Sequence, residues 1–191
     1  MIQHPLRTHI EELVVLTDQE FAFVLEHFQP RIFKKHQIVL HQGDSANHEY
    51  FVVKGLMKVS RPDPDGKEHI LQFAMENWWI TDAEAFYNHN PSKLVIDCME
   101  DTHTLAITLA HKEKISRELP KMQNFFHKKT TEGYIDLQKR ILCFLSSNAN
   151  DRYHNLLTVY PGLIQRAPKA MIASYLGVTR ETLSRLTKQH S

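Results

Sequence analysis

The residues best placed to do chemistry lie near the end of the 191-residue chain, in the run Pro168-Lys169-Ala170-Met171-Ile172-Ala173-Ser174-Tyr175-Leu176-Gly177-Val178-Thr179-Arg180-Glu181-Thr182-Leu183-Ser184-Arg185-Leu186. Arg180 and Arg185 each offer a planar guanidinium fork that fits O6 and N7 of guanine, Glu181 can accept from the N4 amine of cytosine, and Thr179 and Ser184 can reach phosphates or bases. Pro168 suits the first turn of a helix, Ile172, Ala173 and Leu176 form its apolar face, and Gly177 can take the left-handed conformation that ends it. Thr179 then caps a second helix, with Val178, Leu183 and Leu186 facing inward. Two short helices across a glycine turn make a helix-turn-helix, whose second helix sets its N-terminal side chains against base edges in the major groove.

Charge supports that reading. From Arg166 onward, Arg166, Lys169, Arg180, Arg185 and Lys188 stand against Glu181 alone, giving +4 in a chain whose formal net charge is only +1. Positive charge is concentrated where phosphate would be met. The expected contacts to double-stranded DNA are Lys169, Thr179, Arg180, Glu181, Ser184, Arg185 and Lys188. The competing reading is a ligand-binding or interaction module whose hairpin is solvated or contacts protein; it predicts no salt-dependent DNA binding.

Other chemistries find less support. Cys98 and Cys143 stand alone, without a C-x-x-C pair, so one chain builds neither a disulfide framework nor a four-thiolate metal site, and a cytoplasmic location is expected. The thirteen histidines lack tight ligand spacing, and no metal is expected. No P-loop, Gly-rich dinucleotide turn or nucleophile elbow is present, so no enzyme activity is expected. The Met1–Pro5 start has no basic-then-apolar signal, and no run approaches the ~20 apolar residues that span a bilayer, so no membrane partner is expected.

The elements that must position the C-terminal motif can be read from periodicity. Ile10 to Phe28 repeats apolar residues at steps of three and four, broken at Leu16-Thr17-Asp18, which predicts two short helices; Thr17 and Glu20 form a capping box for the second. Between Pro30 and Thr108, short β-rich runs at Arg31–Phe33, Ile38–His41, Tyr50–Val53, Met57–Ser60, His69–Ala74, Lys93–Cys98 and His103–Thr108 are separated by turns such as Asp65-Gly66. They predict a β-sandwich or jelly-roll barrel. After Pro120, the residues Met122, Phe126, Thr130, Gly133, Leu137, Ile141 and Phe144 follow a coiled-coil-like seam. Its small residues favour pairing with a second copy of the chain, with packing on its own barrel as the alternative. Asn148-Ala149-Asn150-Asp151 breaks that helix. The expected division is 1–119, 120–148 and 149–191, in an α+β fold, with a hinge near Asn148–Asp151.

Val178-Thr179-Arg180-Glu181-Thr182-Leu183-Ser184-Arg185-Leu186 resembles the recognition helix of the cyclic-AMP receptor protein (Crp/Fnr) family of transcription regulators, and the similarity extends over nearly the whole chain. Gln42-Gly43-Asp44, Tyr50–Gly55 and Asp65–Glu68 sit where that family places turns and strands. The resemblance implies an N-terminal cyclic-nucleotide-binding β-roll (a jelly roll), a long dimerisation helix, a C-terminal helix-turn-helix, a homodimer on DNA, and base contacts from Arg180, Glu181 and Arg185. A chain ending at Ser191 leaves no room for a strand pair after the recognition helix, so a wing contact there would be missing or supplied differently. The family's β-roll can also carry a patch that contacts RNA polymerase; no residue here identifies one.

The family's cyclic-phosphate cassette is eroded. Thr81-Asp82 stands at the Gly-Glu pair, and the Arg-Ser pair would fall in the segment Asn90-Pro91-Ser92-Lys93. Threonine obstructs close backbone approach, aspartate is a methylene short, and lysine is a point charge in place of a two-pronged donor. Each lost charge-assisted hydrogen bond to phosphate weakens binding by about 1.5–3 kcal/mol. The ligand pocket, formed by Trp79, Thr81, Asp82, Ala83, Ser92 and Lys93, is therefore expected to take an unidentified small-molecule effector other than cyclic AMP, or nothing; a regulator retaining weak cyclic-AMP binding is the alternative. Trp78 and Trp79 could line such a pocket or fill the core.

Overall fold

In the computed structural model, which describes residues 4–189, the chain opens with the two expected helices, α1 (Pro5–Glu11) and α2 (Asp18–Glu26). The Thr17 hydroxyl accepts from the Glu20 amide while the Glu20 carboxylate accepts from the Thr17 amide, closing the reciprocal cap.

Two antiparallel four-stranded sheets follow. One has the order β1 (Gln29–Phe33), β8 (Thr102–Ile107), β3 (Glu49–Lys54), β6 (Trp79–Ile80), and the other β2 (Ile38–Leu40), β7 (Val95–Cys98), β4 (Met57–Pro62), β5 (Glu68–Ala74). Strands distant in sequence lie side by side, as in the expected β-roll. Val52, Met57, Val59, Ile80, Phe86 and Ile96 fill the space between the sheets. Five elements go beyond the sequence reading: the two-residue β6, the six-residue α3 (Ala83–Asn88), α4 (Leu109–Glu118) and, between the long helix and the helix-turn-helix, the helices over 149–159 and 163–166. The first two are too short to show a period, and α4 has a Thr108 cap without the glutamate that completes a capping box.

The long helix α5 (Pro120–Ser146) has 27 residues and is about 40 Å long. Its first turns bury Met122, Phe125 and Phe126 among Phe51, Ile107 and Ile115 of the β-roll and α4. It ends at Ser147, and Asn148 caps α6 (Ala149–Val159) by accepting from the amides of Asn150 and Asp151. Three short helices complete the described chain: α7 (Leu163–Arg166), α8 (Lys169–Leu176) and α9 (Arg180–Gln189).

These C-terminal helices lie directly on the β-roll. β5 is an edge strand, and Leu71 is an extra residue in it: Val59 pairs with Gln72 but Ser60 with Ile70. The bulge shifts the side-chain phase, so Ile70 and Phe73 both join the cluster formed with Tyr160, Leu163, Ile172 and Leu176. Trp78 stacks on Tyr160 at 4.9 Å between ring centroids. The open edge of β5 is covered as well. The Ser174 hydroxyl donates to the Glu68 carbonyl at 2.6 Å and accepts from the Ile70 amide at 3.3 Å, and the Arg140 guanidinium donates to the Ile70 carbonyl at 2.9 Å.

Arg166, the last residue of α7, grips two turns of the β-roll at once. Its nitrogens donate to both oxygens of Glu76 at 2.8 and 3.0 Å and to both oxygens of Glu100 at 3.0 and 2.8 Å. Burial pushes the Glu76 carboxyl up, but Arg166 and the Gly55 amide outweigh it and hold the group at about 2, below its ordinary 4.5. A carboxylate whose folded value is depressed stabilises the fold above its unfolded value and loses that contribution as pH falls toward the folded one. Stability measured by urea unfolding is therefore expected to fall between about pH 4.5 and pH 2. Glu76→Gln should flatten that change in an acid titration.

Candidate functional site

The helix-turn-helix forms where the sequence places it. Gly177 ends α8 at φ +64°, and a Cβ there would lie 2.9 Å from Cε1 of Phe144 on α5. Glycine is thus required both for the left-handed turn and for close approach to the long helix. The guanidinium groups of Arg140 and Arg152 each lie 5.4 Å from the Phe144 ring centre, and Arg152 donates to the carbonyls of Leu176 and Ser147. The turn is thereby tied to the end of α5.

The Thr179 hydroxyl accepts from the Thr182 amide at 3.2 Å, capping α9. Leu183 and Leu186 are buried, which fixes the helix rotation, and Arg180, Glu181, Arg185 and Lys188 are exposed on the opposite side with Ser184 half-buried among them. Lys169, at the start of α8, and Thr179 are exposed too. The Glu181 carboxyl lies below the usual carboxylate range because its own backbone amide and the Thr179 hydroxyl donate to it, so it is an ionised acceptor. Thr182, absent from the expected contacts, sits between its neighbours: its hydroxyl is 3.2 Å from that of Thr179 and accepts from Arg185 Nη2 at 3.4 Å. Its signal in the sequence is the three-residue spacing from each.

The exposed part of α5 carries the second feature. The expected seam divides: Met122 and Phe126 are buried within the chain, whereas Leu137 and Ile141 are exposed, beside Tyr134, Leu142 and Leu145. Phe144 is occupied on one side by the Gly177 turn. A solvent-facing apolar strip this long on one helix is characteristic of an interaction face.

The cassette residues are brought together only in part. Asp82 and Ser92 are 4% and 2% exposed; the Asp82 carboxylate caps α3 by accepting from the Ala85 amide at 3.2 Å and also accepts from the Ser92 hydroxyl at 2.7 Å. The Thr81 hydroxyl donates to the His48 carbonyl. Lys93 pairs with Glu84 at the surface at 2.9 Å, and Ala83 is exposed. Trp79 joins an aromatic cluster with Phe51 and donates from Nε1 to Nε2 of His9 at 3.1 Å. Both tryptophans therefore fill core, Trp78 against α6 and Trp79 against α1. Lys112 of α4, unmarked in the sequence, is buried and donates to Glu49 at 2.6 Å and to the Tyr87 hydroxyl of α3 at 2.9 Å. Burial alone would lower its pKa; the Glu49 carboxylate more than offsets that and raises it. A cavity of about 140 Å³ lies between Leu40, Asn47, His48, Tyr50 and Ile96, and none of the six expected pocket residues lines it.

Among the described residues no group of three or more His, Cys, Asp or Glu is gathered for a metal ion, and no helix is long and apolar enough to cross a membrane. Burial pushes the Cys98 thiol up to about 11.

Residues 30–118 match the family described as the cyclic nucleotide-binding domain. The chain is 22% identical to the cAMP-activated global transcriptional regulator CRP of Haemophilus influenzae, across 95% of this chain and 88% of that protein. The solved structure of FixK2 from Bradyrhizobium japonicum superposes with a TM-score of 0.74 at 18% identity, covering 85% of this chain and 83% of that one. The c-di-GMP responsive global regulator CLP of Xanthomonas campestris gives 0.69 at 15% identity over 91% of each chain.

The close contact at the helix-turn-helix gives a direct check. Gly177→Ala should destabilise the protein by about 1–3 kcal/mol in urea unfolding, because the new methyl meets Phe144 in a conformation that alanine disfavours.

Proposed function

We propose that this chain is a regulator of the Crp/Fnr type: a cytoplasmic, non-enzymatic, sequence-specific DNA-binding transcription regulator that acts as a homodimer and does not use cyclic AMP as its effector. One observation carries the DNA reading: Arg180, Glu181, Ser184, Arg185 and Lys188 lie on one side of a capped helix whose other side is buried. Arg180 and Arg185 are the residues for guanine, ionised Glu181 accepts from cytosine, and Lys169, Thr179 and Lys188 serve phosphate. The strip from Tyr134 to Leu145 supports pairing along α5, which would set two recognition helices about one DNA turn (~34 Å) apart.

The cassette supports the exclusion of cyclic AMP. Both Asp82 oxygens already accept protein hydrogen bonds, and Lys93 is neutralised by Glu84 at the surface, so neither ribose nor cyclic phosphate finds its usual partner. Any effector of the β-roll has to be recognised by other groups.

Selection from a randomised duplex pool should return a two-half-site palindrome. Arg180→Ala should then weaken the selected site by ~1–3 kcal/mol and relax one base position, whereas Lys169→Ala should weaken all sequences alike and lower the salt slope by about 1. Salt-insensitive failure to bind any duplex would favour the protein-interaction module. For the effector, titration calorimetry should show no heat with cyclic AMP at micromolar concentration; saturable binding there would restore the cyclic-AMP-responsive regulator.

A further inference from the structure

The C-terminal helices do not sit beside the β-roll as a separately packed unit. Their buried residues Tyr160, Leu163, Ile172 and Leu176 share one hydrophobic cluster with Leu56, Ile70 and Phe73 of the β-roll. Three attachments flank that cluster, two of them polar. Ser174 of α8 and Arg140 of α5 occupy the β5 edge, Gly177 is seated on Phe144, and Arg166 grips Glu76 and Glu100. The last is the strongest pair geometry available to an ion pair, since each carboxylate meets the guanidinium through two hydrogen bonds. Its position matters as much as its geometry. Glu76 lies between β5 and β6, Glu100 between β7 and β8, and Arg166 two residues before Pro168, where α8 begins. One side chain thus fixes the start of the helix-turn-helix to two separate turns of the same chain's β-roll.

We propose that Arg166 is a positioning residue for DNA recognition: its grip on Glu76 and Glu100 holds the recognition helix in one orientation on the β-roll. This rests on the DNA-binding reading above. Swinging the C-terminal helices away would expose Phe73, Trp78 and Tyr160 to water, which is unfavourable, and would exchange the bonds at Glu68 and Ile70 for bonds to water.

The test uses the full chain, with Arg166→Gln, Arg166→Lys and Glu100→Gln, in two measurements: amide hydrogen exchange and titration of the selected duplex. Arg166→Gln should speed exchange in α8 by about tenfold or more while β3 and β8 keep their protection, and should weaken the selected duplex by a similar factor. Arg166→Lys should recover part of both, and Glu100→Gln should show a smaller change in the same direction. Wild-type exchange in α8 of Arg166→Gln would overturn the proposal. So would weakened DNA binding with unchanged exchange, which would make Arg166 a DNA contact. If Arg166→Gln loses protection throughout, Glu100→Gln, which keeps the arginine and its bonds to Glu76, decides by the same criteria. A wild-type chain that binds no duplex would remove the DNA-binding reading, and the exchange measurements would still decide whether Arg166 holds the helices in place.

Discussion

An edge strand leaves half of its backbone amides and carbonyls without a ladder partner, and β5 is such a strand, lying at the end of its sheet. In this protein three of those groups are met by side chains of other helices, with Ser174 of α8 serving the Glu68 carbonyl and the Ile70 amide and Arg140 of α5 serving the Ile70 carbonyl. Around these bonds, Phe73 and Trp78 supply an apolar platform for Tyr160 and Tyr175. Covering the edge and burying the platform are one event, because the same helices do both. The β-roll and the helix-turn-helix therefore stabilise each other. β8 is the last strand among the described residues, so the sheet that supports the C-terminal helices is the β-roll's own.

The same economy governs the cassette. A short acidic residue at position 82 reaches its helix's own amides and a neighbouring hydroxyl, and it becomes a buried cap. A buried carboxylate with both oxygens engaged has little to gain from a ligand hydroxyl, since the exchange would leave the Ser92 or Ala85 group unpaired. Below it, Lys112 ties α3 to α4 and β3 through Tyr87 and Glu49, under the face where Phe126 of α5 packs. The region between β6 and β7 is thus a braced corner of the fold.

Much of this could be read from the residues. The Thr17–Glu20 box, the glycine turn at 177 and the Thr179 cap are local patterns whose geometry is fixed within a few residues, and each formed as written. Seven strands were legible because alternation and turn residues mark them. The roles of Arg140, Arg152 and Arg166 were not legible, because each has partners more than 20 residues away or more, and a lone arginine in a polar stretch looks like a solvated one. The seam on α5 shows the limit from the other side: its spacing was correct, but only the folded chain distinguishes Phe126, spent on the β-roll, from Leu137 and Ile141, left for something else. For the candidate DNA contacts, helix face and charge were readable, whereas the Thr179–Thr182–Arg185 hydroxyl path needed side-chain positions.

The single extra residue at Leu71 gives the architecture an unequal tolerance to changes in length. Residues added at the Asp63–Gly66 tip of the β4–β5 hairpin would lengthen a solvent loop and leave the paired region in phase. One residue gained or lost between Ile70 and Phe73 would instead turn one of the two away from the C-terminal helices, since side chains alternate along a strand. The hairpin tip therefore accepts added length on its own, whereas a change of length at the bulge requires a matching change in the helices resting on it.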